Sequence, residues 1–307
     1  MKAAVYTKTE SGKIVQIMDV EKPDPKENEV LLRVCAASVN PLDWRMKKRR
    51  PGVDVAGVVA TAGKSVTRFK PGDEVFGACK GAFAEYACAK ESALVIKPER
   101  LTMEQAASVP VAGLTALQGL RDKGKLKPGQ NVLINGAAGG VGTFAVQVAK
   151  ALGGEVTGVC SGRNVDLVRS LGADAVIDYE KEDFTQGGHK YDLLLDNVGN
   201  RPLLAMRRVM SSGGRCIMIG VAKKMFEVLG RFVKLVAWPP FLRPKFKILI
   251  AKVKKGDLEL LCELMKTGKL TPQIDRCFPL SGAGDALAYV EQGHARAKVI
   301  LSNSTGV

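Results

Sequence analysis

Histidine is nearly absent from this chain, and its cysteines are not grouped. Only two histidines, His189 and His294, occur among 307 residues, and neither stands near a cysteine or carboxylate at a spacing typical of a zinc site. The seven cysteines are scattered and form no C-x-x-C pair, so we interpret them as reduced thiols rather than a disulfide framework. The sequence therefore predicts no metal in the functional site.

Long hydrophobic runs are also missing. No apolar run reaches the roughly 18 to 20 residues that cross a bilayer, and the first residues lack the apolar stretch of a secretory signal. The composition, 46% hydrophobic and 25% charged, is ordinary for a globular protein. We therefore expect a cytoplasmic protein with room for two domains.

Acidic residues are scarce in one segment, which carries much of the formal charge of +15. Residues 221–255 hold ten Lys or Arg side chains and one acid, Glu227. One interpretation is weak contact with an anionic membrane through a basic amphipathic helix. The other is an amphipathic helix packed on the protein or at a subunit interface, with its lysines reaching water. No recognition motif accompanies the charge, so no specific nucleic-acid partner is expected.

A glycine-dense turn is the most informative feature that the chain does contain. The apolar run 132–134 leads into the turn 136–142, and a helical pattern of apolar residues follows. Gly139 and Gly142 fit the dinucleotide fingerprint, in which glycines let the backbone approach a pyrophosphate at a helix start, and Ala137 replaces the first glycine. The predicted cofactor-binding residues of this turn are Ala138, Gly139, Gly140, Val141 and Gly142.

The end of the next predicted strand, residues 155–160, indicates which nucleotide is bound. A cofactor without a 2′-phosphate favours an acidic residue there, and none follows this strand. Ser161, Gly162 and Arg163 follow instead and offer a hydroxyl, a close backbone and a planar cation suited to a phosphate. This pattern favours NADPH over NADH. Arg163 as a solvated residue is the alternative, and Tyr179, after the third strand, is a candidate to stack on the same end of the cofactor.

The order of patterns predicts the fold class. The first hundred residues contain short β-type runs separated by prolines, whereas strand and helix patterns alternate after Thr102. We predict an α/β fold: a Rossmann doubly wound parallel sheet and a β-rich, barrel-like domain to which the end of the chain returns.

Six segments carry a resemblance to a known family. They are residues 38–44, 51–57, 70–75, 81–86, 111–116 and 137–142. With the domain order, they are similar to the medium-chain dehydrogenase/reductase superfamily, specifically its zinc-free quinone oxidoreductase-like branch. The resemblance implies a GroES-like catalytic domain of residues 1–110 and 272–307, a Rossmann NADP-binding domain of residues 111–271, and a homodimer.

Zinc-dependent members of this superfamily differ at identifiable positions. They carry Cys where this chain has Asn40, and Gly-His-Glu where it has Gly52, Val53 and Asp54. The resemblance therefore implies hydride transfer from NADPH to a quinone or an α,β-unsaturated carbonyl without zinc. Two alternatives remain open, a non-catalytic NADPH-binding sensor or scaffold and a zinc-dependent alcohol dehydrogenase.

The resemblance also implies roles for single residues. Asn40 and Asp43 would be catalytic and lie near the nicotinamide, although an Asn before Pro often bonds to its own turn. The resemblance adds Thr115 and Lys298 as cofactor-binding candidates. Asn197 and Gly220 are candidates for a different reason, because they end predicted Rossmann strands, where the binding crevice lies. Some relatives place a tyrosine shortly after this Asn-x-x-Asp pattern, whereas Trp44 and Arg45 follow here. The proton donor is therefore not identified, and water is a candidate.

Overall fold

The structure, a computed structural model, describes residues 1–9, 12–46, 49–219, 245–293 and 295–303. The chain forms two compact units, one of residues 1–114 and 253–307 and one of residues 115–252. Predictions for Gly220 and for residues 221–244 of the basic segment lie outside the described residues.

Strands and helices are numbered in chain order. The strands are β1 (Lys2–Thr9), β2 (Gly12–Asp19), β3 (Glu29–Val39), β4 (Asp54–Ala62), β5 (Glu74–Ala78), β6 (Tyr86–Lys90), β7 (Leu94–Ile96), β8 (Asn131–Asn135), β9 (Glu155–Cys160), β10 (Ala175–Asp178), β11 (Tyr191–Asp196), β12 (Met210–Met218), β13 (Lys245–Ile248), β14 (Ile274–Pro279) and β15 (Lys298–Ser302). The α-helices are α1 (Pro41–Met46), α2 (Met103–Ala107), α3 (Pro110–Leu117), α4 (Gly140–Ala151), α5 (Val165–Ser170), α6 (Leu203–Arg208), α7 (Lys255–Lys266) and α8 (Ala283–Glu291).

The first unit is built around the long strand β3. This strand pairs antiparallel with β4, β6 and β15 in a sheet of order β14-β15-β3-β4-β5-β7, in which β6 lies off the main path. Apolar side chains such as Val30, Leu32 and Phe83 form its core, and Leu287 of α8 joins them. Because Val299 of β15 stands opposite Val39, the register brings Lys298 beside Asn40.

Helix α7 also belongs to the first unit, although the sequence places residues 111–271 in the dinucleotide-binding domain. Its buried face includes Leu258 and Leu261. A Cβ on Gly113 would lie 3.0 Å from Leu261 Cδ1, and the Arg100 guanidinium donates a hydrogen bond to the carbonyl of Lys266. These contacts group residues 253–271 with the N-terminal part of the chain.

The second unit contains a six-stranded parallel sheet of order β10-β9-β8-β11-β12-β13. The chain builds outward from β8 through β9 to β10, then returns to the other side of β8 and continues through β11 to β13. The β8 side chains Val132, Leu133 and Ile134 are fully buried, as expected for a strand covered on both faces. The predicted doubly wound sheet is confirmed. Its order reverses between β8 and β11, where such sheets bind ligands at the carboxyl ends of their strands.

Within the described ranges, no helix is long and apolar enough to cross a bilayer. The cytoplasmic location stays a prediction.

Candidate functional site

The glycine turn after β8 combines close packing on one side with open space on the other. Gly136 has φ of +77°, a conformation that favours glycine. A Cβ on Gly142 would lie 2.1 Å from the Gly136 carbonyl oxygen, so only glycine lets α4 approach the turn. A Cβ on Gly139 would meet only that carbonyl oxygen, at 3.5 Å. Gly142 thus serves packing, whereas Gly139 leaves room for a ligand against the backbone.

Helix α4 begins directly at this turn. Gly139 is its N-cap and supplies no side-chain cap, and its carbonyl accepts a hydrogen bond from the Thr143 amide. The amides of Gly140, Val141 and Gly142 have no carbonyl four residues earlier within the helix. These donors and the positive end of the helix dipole suit a phosphate group. The turn therefore fits the pyrophosphate of a dinucleotide.

The loop after β11 lies against the same turn. Asn135 Nδ2 donates hydrogen bonds to Asp196 Oδ1 at 2.8 Å and to Asn200 Oδ1 at 3.0 Å, while Asn197 Nδ2 donates to the Asn135 carbonyl at 2.9 Å. Asn197 Oδ1 is buried and has no hydrogen-bond partner. The predicted cofactor residue Asn197 is thus at the carboxyl edge of the sheet with an unused acceptor.

The segment after β9 brings the predicted adenosine-end residues together. Ser161 is buried, and its Oγ accepts a hydrogen bond from Asn164 Nδ2 at 2.9 Å. The Tyr179 amide donates to the Cys160 carbonyl at 3.0 Å, so Tyr179 lies beside the end of β9, with an exposed side chain. Arg163 is exposed in the short helical turn that follows Ser161.

The sequence alone did not predict the two carboxylates, of Asp178 and Glu180, that lie beside Gly162. Glu180 Oε2 accepts a hydrogen bond from the Gly162 amide at 3.3 Å, and a Cβ on Gly162 would lie 2.8 Å from Asp178 Oδ2. Burial raises the pKa of the Cys160 thiol to about 11, and both carboxylates add to the shift. The signal that reveals them is the register of β10 on β9, where Asp178 pairs with Cys160.

Thr115, a further predicted cofactor residue, is buried on α3 and is the first residue of the second unit.

The first unit contains a buried polar network centred on Asn40. Its Nδ2 donates to Asp54 Oδ2 at 2.9 Å and to the Ser38 carbonyl at 3.2 Å. Its Oδ1 accepts from Lys298 Nζ at 2.7 Å, and that ammonium lies 3.6 Å from Asp54 Oδ2. The side chain of Asp54 is 0% exposed and that of Lys298 is 4% exposed. The three side chains therefore satisfy one another away from water.

Asp43 adjoins this network through the backbone. Its Oδ2 accepts from the Asn40 amide at 2.8 Å and its Oδ1 from the Gly52 amide at 3.1 Å. These bonds tie the start of α1 to the segment before β4. The catalytic role of Asn40 and Asp43 stays a prediction, and the described contacts give both side chains a structural task.

The chain matches two known protein families. Residues 26–99 match the family described as "Alcohol dehydrogenase GroES-like domain" and residues 171–301 the family described as "Zinc-binding dehydrogenase". A chloroplastic quinone-oxidoreductase homolog of Spinacia oleracea is 36% identical, covering 92% of both chains. The chain belongs to the quinone oxidoreductase-like branch of the medium-chain dehydrogenase/reductase superfamily.

Other members extend this result. An NADPH-dependent alkenal/one oxidoreductase of Arabidopsis thaliana is 32% identical, covering 98% of this chain and 79% of that protein. The solved quinone oxidoreductase of Coxiella burnetii is 30% identical, with a TM-score of 0.86 over 98% of this chain and 99% of that one. The family and fold predictions are confirmed, including the GroES-like domain. This family member is an oxidoreductase that uses a nicotinamide cofactor.

Sequence reasoning missed Asp54 as a partner in the site. The signal was an acidic residue at the start of a strand whose next residues, Val55 and Ala56, are fully buried. Burial raises the pKa of Asp54 to about 6, although Lys298 and Asn40 oppose the shift. Burial also lowers the pKa of Lys298. Lys298, predicted to bind cofactor, is placed by the structure with Asn40 and Asp54.

The titration of Asp43 predicts how stability depends on pH. Burial raises the pKa of Asp43 to about 7, with a contribution from the Asp54 carboxylate, so the folded state retains its proton more strongly than the unfolded chain. The stabilising contribution of protonated Asp43 is present below its unfolded pKa and is lost as pH rises toward its folded value. D43N should therefore show a smaller loss of stability than the wild type between about pH 5 and about pH 8, measured by urea unfolding.

D73N is the matched control, because Asp73 Oδ2 also accepts the amide three residues earlier, from Lys70, at a less buried position. If D43N and the wild type lose the same stability over this pH interval, the prediction is wrong.

Proposed function

We propose that this oxidoreductase uses NADPH to reduce a quinone or an α,β-unsaturated carbonyl without zinc. The observation that carries the zinc-free part is the buried Lys298 ammonium, 2.7 Å from Asn40 Oδ1 and 3.6 Å from Asp54 Oδ2. By resemblance, Asn40 and Asp54 stand where zinc-dependent members have Cys and the Glu of Gly-His-Glu. A positive charge already lies beside both side chains, which disfavours a second cation there.

The cofactor part of the proposal rests on the second unit. The open face at Gly139 and the α4 amides would hold the pyrophosphate, and the unused Asn197 acceptor lies on the loop beside that turn. Ser161, Gly162 and Arg163 support a preference for the 2′-phosphate. When bound, the reduced nicotinamide would supply a hydride.

The substrate class is supported by the names of relatives, a quinone-oxidoreductase homolog and an alkenal/one oxidoreductase. Addition of hydride to the β-carbon of an enone moves the C=C π electrons to the α-carbon, which then takes a proton. A quinone takes a hydride and a proton to become a hydroquinone. Because Trp44 and Arg45 follow Asp43 where some relatives place a tyrosine, we assign this proton to water. Orientation of the reactants can then lower the activation free energy by about 7 to 11 kcal/mol.

A non-catalytic NADPH-binding sensor or scaffold is the second candidate. It is favoured by one observation: the side-chain polar atoms of Asn40 and both carboxylate oxygens of Asp43 are engaged within the protein. Asn40 and Asp43 side chains that are already engaged suit a binding site better than catalysis that requires an acid.

The test measures the rate of NADPH oxidation with quinones, enones and aldehydes as substrates. The rate is monitored through the absorbance of the reduced nicotinamide. NADH is run in parallel and a metal chelator serves as the control. Turnover of quinones or enones that is insensitive to the chelator and faster with NADPH is the expected result. Tight NADPH binding without turnover would replace the reductase by the sensor, and loss of activity that added zinc restores would support an alcohol dehydrogenase. The predicted homodimer and weak contact with an anionic membrane stay predictions.

A further inference from the structure

The end of β9 is acidic in the folded protein, although no acid follows β9 in the sequence. Glu180 Oε2 accepts the Gly162 amide at 3.3 Å, and Asp178 Oδ2 lies within 2.8 Å of a Cβ placed on Gly162. Lys181 Nζ lies 3.7 Å from Asp178 Oδ2. Two carboxylates therefore lie beside Gly162, and the Lys181 ammonium lies near one of them.

The backbone fixes this arrangement. Asp178 pairs with Cys160 in the parallel register of β10 on β9. Asp178 Oδ1 then accepts the Glu180 amide at 3.1 Å, and its carbonyl accepts the amides of Lys181 and Glu182 at 3.0 and 2.9 Å. This turn directs Glu180 back toward Gly162, so the contact follows from the fold even though the Glu180 side chain belongs to an exposed residue.

A 2′-phosphate and this carboxylate have competing requirements. A backbone amide is a good donor to a phosphate oxygen, but the Gly162 amide is already bonded to Glu180. A phosphate monoester carries nearly two negative charges and would be repelled by both acids. A ribose 2′-hydroxyl, by contrast, can donate a hydrogen bond to a carboxylate.

We propose that Glu180, positioned by Asp178, sets the discrimination between NADPH and NADH in this chain. Its carboxylate opposes the phosphate preference of Ser161, Gly162 and Arg163, so both cofactors are accepted. This inference rests on the proposed function, because it assigns the selectivity of the same nucleotide site.

The test measures binding of adenosine fragments to the full chain by calorimetry. The probes are 2′,5′-ADP, which carries the 2′-phosphate, and 5′-AMP, which does not. E180Q removes the charge but leaves an acceptor, E180A also releases the Gly162 amide, and E182Q removes a neighbouring exposed acid that follows the same turn. We expect E180Q to bind 2′,5′-ADP about fivefold more tightly than the wild type, and E180A more tightly still. Affinity for 5′-AMP should stay equal or fall, and E182Q should resemble the wild type.

Two results would overturn the inference: an unchanged ratio of the two affinities in E180Q and E180A, or the same change of that ratio in E182Q. These results leave the proposed function intact if NADPH binds and reduces a quinone or an enone. If neither intact cofactor binds the wild type, the proposed function and the inference are both wrong.

Discussion

Replacement of Lys298 by methionine should lower the free energy of unfolding by about 3 to 5 kcal/mol, because it removes one partner of a buried ion pair. Asp54 would keep a buried carboxylate that accepts hydrogen bonds from Asn40 Nδ2 and the Val111 amide but has lost its nearby ammonium. Asn40 Oδ1 would lose its 2.7 Å donor. Protonation of Asp54 relieves part of this cost. The loss should therefore be larger at about pH 8 than at about pH 5.

Urea unfolding of K298M, D54N and the double variant would measure this coupling. The double variant should lose less stability than the sum of the single losses, since no uncompensated charge remains. K97M is the matched control: Lys97 is also buried, but its partner Glu74 has a side chain that is 52% exposed and can be hydrated. A K298M protein that is no less stable than K97M would contradict the prediction.

The nucleotide turn and the buried Lys298–Asp54 pair differ in how far the sequence alone predicts them. The turn 136–142 was predictable, because strand, glycines and helix are consecutive and their chemistry is local. The pairing of Lys298 with Asp54 was not, because it depends on the register of β15 against β3, which brings the end of the chain beside Asn40. Resemblance to a family named Lys298 as a site residue but did not identify its partners.

The acidic pair beside Gly162 was missed for the same reason. Reading the end of β9 alone found no carboxylate, whereas the parallel neighbour β10 supplies Asp178 and, in the turn that follows, Glu180. The position of α7 is a further case. Its apolar periodicity predicts a helix, but contacts such as those of Leu261 at Gly113 and of Arg100 with the Lys266 carbonyl place it in the first unit. Local sequence patterns therefore do not predict which strands are neighbours or which surface a helix covers.

The second large effect concerns Gly139 and Gly142 of the nucleotide turn, whose substitutions should separate binding from folding. G139A is expected to bind NADPH at least about thirtyfold more weakly, since a methyl group would occupy the face where the pyrophosphate approaches. Its stability should change by less than about 1 kcal/mol. The Cβ meets only one atom, at 3.5 Å, and φ of −81° is accessible to alanine.

G142A should instead damage the fold first. Its Cβ would lie 2.1 Å from the Gly136 carbonyl oxygen and 2.7 Å from backbone atoms of Ala137, so β8 and α4 must separate. We expect a loss of about 1 to 3 kcal/mol in unfolding free energy together with weak binding. Calorimetric titration with NADPH and urea unfolding, with G187A as a control whose Cβ meets nothing within 4 Å, would distinguish the two variants. If G139A binds NADPH as tightly as the wild type, the pyrophosphate does not lie against Gly139. If G142A is as stable as G187A, the close approach of α4 to the turn is not what requires glycine there.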